Sequence, residues 1–191
     1  MSTVMASSPK PHCITVDEYH RMAEVGLLAS DSRVELIEGE IIDMPPIGPP
    51  HSAVVARLDR LVQLAVGDRA LIRIQDPVRL DSRSEPQPDL ALLKPRDDWY
   101  SRSHPAPAHV LLLIEVGNAS AQFDRDVKAP LYARHAIPEV WLVDLDQMQL
   151  GILRSPLEGA YTEVSYTASP GIIPIPGLRG VSVDLSRLLS L

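Results

Sequence analysis

The chain has 191 residues, 45% of them hydrophobic and 23% charged, with a single cysteine, Cys13. This supports one sizeable core and excludes a disordered chain or an internal disulfide framework. A formal charge of −7 excludes broad, non-specific nucleic-acid binding, which rests on many lysine and arginine contacts to phosphates, but not a local site where a bound cation cancels acidic charge. A lone thiol suits a reducing cytoplasm. No apolar run long enough to span a membrane occurs, and Pro9 and Pro11 fall where a secretory signal would need its apolar region. The expected location is cytoplasmic, with no membrane partner.

Residues 1–12 read as a mobile N-terminal tail and 13–191 as one domain. Thr15-Val16-Asp17-Glu18 has the form of a capping box and opens a helix that Gly26 stops. Val34-Glu35-Leu36-Ile37, then Glu38-Gly39, then Glu40-Ile41-Ile42-Asp43-Met44 reads as a hairpin with glycine in its turn. A proline loop follows at 45–50. An amphipathic helix runs from His51 to Val66, with Val54, Val55, Leu58, Leu61 and Val62 on one face.

Strands are predicted at 70–75, 77–80 and 89–93, then a long loop at 94–107. The continuous apolar run at 110–116 predicts a strand buried on both faces. Helix is expected over 120–135, strand over 139–145, and an antiparallel hairpin from 148–154 and 161–167. The proline-rich stretch 170–177 reads as an extended segment on the sheet, with a short terminal helix at 185–189. The order predicts a single α/β domain with a mixed β-sheet flanked by helices.

The chemistry lies at the ends of two of these strands. Asp89 follows Pro88 at a strand entry, and Glu115 sits near the end of the apolar run. If the two strands pair, both carboxylates reach one point. Hard divalent cations take oxygen ligands and need only one or two protein carboxylates. On spacing alone the plainer reading has the stronger claim, with Asp89 as a strand-entry cap and Glu115 as a rim acid paired with an arginine. Lys128 shifts the balance, because Asp124, Lys128 and Tyr132 are spaced four apart on a helix that begins just after Glu115. A metal held by two acids beside an ammonium is a phosphodiesterase arrangement.

Pro130 is expected to bend that helix just after Lys128. Glu35 and Glu38 are three apart, so one faces in and the other out; the pattern leaves Glu35 equally open as a third acid of the site or as a surface residue. His51 stands at a helix start, where it could meet phosphate or cap. The other histidines, His12, His20, His104, His109 and His135, show no metal-ligand spacing. The arginines between 57 and 83 alternate with aspartates and read as a solvated mixed-charge surface.

Several motifs in this order resemble the Uma-type restriction-endonuclease family of the PD-(D/E)XK nuclease superfamily. They are Val34-Glu35-Leu36-Ile37-Glu38-Gly39-Glu40, His51 after the proline loop, Gln87-Pro88-Asp89-Leu90-Ala91, and Leu113-Ile114-Glu115-Val116-Gly117-Asn118-Ala119-Ser120. Asp124, Lys128, Tyr132 and Ile137-Pro138-Glu139-Val140-Trp141-Leu142-Val143-Asp144 complete the set. The resemblance runs from Thr15 to Tyr161 and implies a restriction-endonuclease-like core. It implies Asp89 and Glu115 as ligands of Mg2+ or Mn2+, with the Val116 carbonyl as a further ligand and Glu35 as an additional acid. The superfamily lysine stands two residues after the second acid, here Gly117; in the Uma-type pattern the following helix supplies it, and Lys128 fits. Asn118, where the family more often has serine, and Pro130 depart from the pattern.

The expected function is a metal-dependent endonuclease acting on DNA, with Lys128 orienting or helping to deprotonate the attacking water. Cutting both strands is easier with two sites, which suits a homodimer. RNA as substrate is not separable from DNA by sequence. The rival is a catalytically silent binding or assembly module on the same fold.

Overall fold

The apolar run at 110–117 forms a strand buried along its whole length, and the sheet is organised around it. This computed structural model describes residues 11–29 and 31–190. Its elements run α1 (Val16–Glu24), β1 (Val34–Ile37), β2 (Glu40–Asp43), α2 (Pro49–Val66), β3 (Leu71–Ile74), β4 (Leu90–Leu93), β5 (Val110–Gly117), α3, β6 (Glu139–Asp144), β7 (Gln149–Leu157), β8 (Ala160–Thr167), β9 (Ile172–Pro174) and β10 (Ser182–Asp184). Here α3 denotes one continuous helix, α-helical at Ala121–Phe123, π-helical at Asp124–Lys128 and α-helical again at Ala129–Arg134. Six strands form a mixed sheet of order β3-β4-β5-β6-β7-β8, in which only β5 and β6 are parallel. A parallel pair needs a crossover connection, and α3 supplies it.

Alternation along the strands sorts the two faces of the sheet. Leu90, Leu92, Leu112 and Ile114 turn to one side, against Val54, Leu58 and Val62 of α2 and Ile173, Val183 and Leu188 of the C-terminal segment. Ala91, Leu93 and Leu113 turn to the other, against Leu131 and Tyr132 of α3. The result is a single α/β domain with helices on a mixed sheet, as predicted.

The hairpin β1–β2 stands apart as a two-stranded unit. Its two-residue turn, Glu38-Gly39, has positive φ at both positions, the twist that suits adjoining strands. The capping box at Thr15 and Glu18 opens α1, and Val16, Tyr19, Val34 and Leu36 form a small core between helix and hairpin.

Two expectations are corrected. Residues 77–80 are not a strand: Val78, Arg79 and Leu80 donate to Pro86, Pro105 and Ser84, so loops rather than a ladder satisfy them. Residues 185–189 form a turn rather than a helix; Arg57 instead binds the carbonyls of Arg187, Leu188 and Ser190. The segment after residue 170 is extended and packs on the sheet as expected, through Ile173 and Ile175, and its β9 pairs with β10. Of the expected tail, residues 1–10 lie outside the described residues.

Gly39 has φ +85°, and a Cβ there would stand 2.6 Å from Cys13 Cβ. Gly39→Ala is expected to destabilise the domain by about 1–3 kcal/mol, read as a lowered urea midpoint at unchanged slope.

Candidate active site

Strand register brings the two acids together. Leu90 pairs with Ile114 across the antiparallel β4–β5 ladder, so one step further Asp89 lies opposite Glu115. Their separation in sequence is the length of the excursion between two paired strands. Asp89 is held from three sides. Its carboxylate accepts from the Val116 amide at 2.8 Å, from Gln75 Nε2 at 3.0 Å, and lies 3.1–3.2 Å from His51 Nε2. The other ring nitrogen of His51, Nδ1, is buried and has no hydrogen-bond partner among the described residues.

Glu115 points to the α3 side of the sheet. Its Oε1 accepts from Tyr132 Oη at 2.5 Å and lies 3.1 Å from Lys128 Nζ. The ammonium is also 3.1 Å from Glu35 Oε2 and 3.9 Å from Asp124 Oδ1. Glu35 enters from β1 and further accepts from the Gln87 amide at 3.0 Å, while Glu38 faces out to Arg134. Thus Glu35, Glu115 and Asp124 share one buried ammonium, and Asp89, also buried, lies beside them on His51, Gln75 and the Val116 amide. A pocket of about 360 Å³ opens onto this cluster, walled on its far side by the proline loop and the N-terminus of α2.

The charge balance is incomplete, and the acids record it. Burial pushes Glu115 well above the usual carboxylate range, which Lys128 only partly offsets. Burial likewise lifts Asp124 from 3.8 to about 6. Burial would raise Asp89 as well, but the bonds from His51, Gln75 and Val116 outweigh it and hold the group below its ordinary value. Lys128 would be lowered by burial, yet Glu115, Glu35 and Asp124 raise it above its ordinary value. It therefore carries its proton throughout the neutral range. Tyr132 is raised by its burial and by Glu115, and acts as a donor.

The local backbone explains why the lysine comes from the helix. A Cβ at Gly117 would lie 2.7 Å from the Ala121 nitrogen and 2.9 Å from Asp124 Oδ2. No side chain fits there, so a lysine two residues after Glu115 is sterically excluded. The helix bend expected after Lys128 takes another form. The π-helical turn immediately before Pro130 carries an i→i+5 bond from Ala129 N–H to the Asp124 carbonyl. Pro130 lacks the N–H that an α-helix would use, and the wider turn precedes it.

All the sequence-predicted site residues, Asp89, Glu115, Lys128, Glu35 and the Val116 backbone, line this pocket. Asp124 and His51 line it as well, and Tyr132 joins through its bond to Glu115. Gln75 and the Gln87 amide were not singled out as site members, since glutamines at strand ends carry no distinguishing pattern. Four of the six arginines between 57 and 83 are spent elsewhere: Arg57 and Arg69 on C-terminal carbonyls, Arg73 on Asp76 and Arg79 on Asp17. The scattered histidines do not all stay apart, because His20 and His104 converge on Glu85.

The sequence profile of the Uma2 family, described as "Putative restriction endonuclease", matches residues 16–186. The chain belongs to the Uma2 family. Its fold is similar to that of a "putative nuclease belonging to DUF820 from Anabaena variabilis ATCC 29413", with a TM-score of 0.71 at 19% identity, covering 93% of this chain and 98% of that one. No curated protein matches the chain. Among the described residues of this Uma2 protein, no helix is long and apolar enough to cross a membrane.

Two pH-linked outcomes follow for the metal-free protein. A carboxyl raised in the folded state binds its proton more tightly than in the unfolded chain. Stability from Asp124 is thus greatest below pH 3.8 and drains as pH rises to about 6, a loss of about 3 kcal/mol at ~1.4 kcal/mol per pH unit. Asp124→Asn is expected to flatten this part of the stability profile in urea titrations with chelator. Lys128→Met leaves the acids without their cation and is expected to cost about 3–5 kcal/mol at pH 7, with part of the loss recovered at pH 5 as the acids protonate.

Proposed function

We propose that this Uma2 protein is a metal-dependent endonuclease that hydrolyses phosphodiester bonds in cytoplasmic DNA. The observation that carries this reading is the under-compensated acid cluster: four buried carboxylates and one ammonium at the floor of an open pocket. A purely structural cluster has no use for this excess negative charge. The donors fit a hard divalent ion, being oxygens from two carboxylates at adjacent strand ends.

Asp89 and Glu115 would hold Mg2+ or Mn2+, with the Val116 carbonyl as a further ligand. Glu115 spends Oε1 on Tyr132 and Lys128, which leaves Oε2 for the pocket. When bound, such an ion supplies charge neutralisation at phosphate and a more acidic water. The remaining work falls to the chain. His51, Gln75 and the Val116 amide keep Asp89 ionised and aimed. Tyr132 fixes the rotamer of Glu115. Glu35, 3.1 Å from the ammonium, anchors Lys128 from β1 and would add a carboxylate to the site directly or through water. Lys128 stays protonated, so it orients water and phosphate and stabilises developing charge instead of abstracting a proton.

One observation favours the rival, a silent binding or assembly module. Lys128 lies on Glu115 itself, neutralising an acid that the ion would need. Cleavage of supercoiled DNA with Mg2+, Mn2+ or chelator separates the readings. The wild type should nick or linearise the circle only with metal, and Asp89→Asn, Glu115→Gln and Lys128→Ala should each slow it by at least about a hundredfold, with circular dichroism unchanged in the two isosteric acid variants. Cleavage that persists at the wild-type rate in all three overturns the site. A wild type that cuts neither DNA nor RNA, and gains no thermal stability from Mg2+ or Mn2+, points to the silent module.

A further inference from the structure

A second group of metal-ligating side chains lies away from the acid pocket and shares none of its lining residues. His20 comes from α1, Glu85 from the segment leading into β4, and His104 from the loop between β4 and β5. One ligand atom from each lies within 4.8 Å of the other two. His20 Nε2 is 2.5 Å from Glu85 Oε1, and the two imidazoles meet nearly edge to face with centroids 6.1 Å apart.

The carboxylate is the telling member. The Glu85 side chain is 1% exposed, yet its Oε2 has no hydrogen-bond partner among the described residues. A buried carboxylate oxygen without a donor is costly. A His20–Glu85 pair satisfies only Oε1 and gives His104 no part. Arg79 and Arg102 line the same cleft, but neither bonds to Glu85, and the Arg79 guanidinium donates to Asp17 at 2.9 Å.

We propose that His20, Glu85 and His104 form a second metal site, for a divalent transition ion of the zinc type. Two imidazoles and one carboxylate are a donor set that zinc accepts, leaving a position for water, whereas Mg2+ prefers oxygen ligands alone. The two sites are therefore separable by metal. The ion would also brace the acid pocket from behind. The Glu85 amide donates to the Leu36 carbonyl at 2.8 Å, next to Glu35, and Glu85 lies two residues before Gln87, whose amide holds Glu35. Binding would clamp α1, this bridge and the β4–β5 loop together.

The test is calorimetric titration of the full chain with Zn2+ in excess Mg2+, paired with Co2+ absorption. Wild type should bind Zn2+ at this site, and Co2+ should give d–d bands that Zn2+ removes and Mg2+ does not. His104→Ala, a loop substitution that leaves the buried carboxylate in place, should weaken Zn2+ binding at least about tenfold, because even outer-shell partners of a ligand are worth that much. His20→Ala should do the same, and Asp89→Asn should not. Folded wild type that binds no Zn2+ in Mg2+, or binding weakened less than tenfold by both histidine substitutions, overturns the proposal.

Discussion

Glu35, Glu115 and Asp124 can be buried side by side only because the Lys128 ammonium lies 3.1 Å from two of them and 3.9 Å from the third. Each acid reaches that amine from a different element: β1, β5 and the first turns of α3. The amine thus ties the separate hairpin to the sheet and the crossover helix to the strand beneath it. Gly117 belongs to the same constraint, since only a bare Cα lets α3 start close enough for Lys128 to arrive. An ammonium in such surroundings loses most of its hydration, and several carboxylates together are needed to hold it there.

The protein contains a useful internal contrast. Glu139 is as deeply buried as the pocket acids, but its two oxygens are fully served, by both arms of Arg154 at 2.7 and 3.0 Å and by Trp141 Nε1 at 2.5 Å. That carboxylate has one cation to itself and closes a strand pair. The pocket carboxylates divide one cation among several and face open space. Burial does not separate Glu139 from the pocket acids; the ratio of charge to countercharge does.

Much of this was readable from residues. The alternation around Gly39 gave the hairpin, the continuous apolar run gave the central strand, and placing acids at strand ends singled out Asp89 and Glu115. The fourfold spacing from Asp124 to Tyr132 put the lysine on the correct side, although the π-helical turn alters its exact phase. What escaped has a common physical cause. Pro77–Leu80 has strand composition but donates to loops distant in sequence, which no local pattern encodes. Gln75 matters only because its strand ends beside Asp89. His20, Glu85 and His104 come from three unconnected segments, so no ligand spacing announces them.

Placing the cation on α3 rather than on β5 divides the site between two elements held in different ways. The acids at 89 and 115 are fixed by the hydrogen-bond register of paired strands. The lysine hangs from a helix whose ladder is interrupted twice, by the wide turn at 124–128 and by Pro130. A side-chain change anywhere along that interruption can shift the amine by fractions of an ångström while both strands stay paired. The cation is therefore the adjustable part of the site, open to evolutionary tuning without any refolding of the sheet that carries the acids.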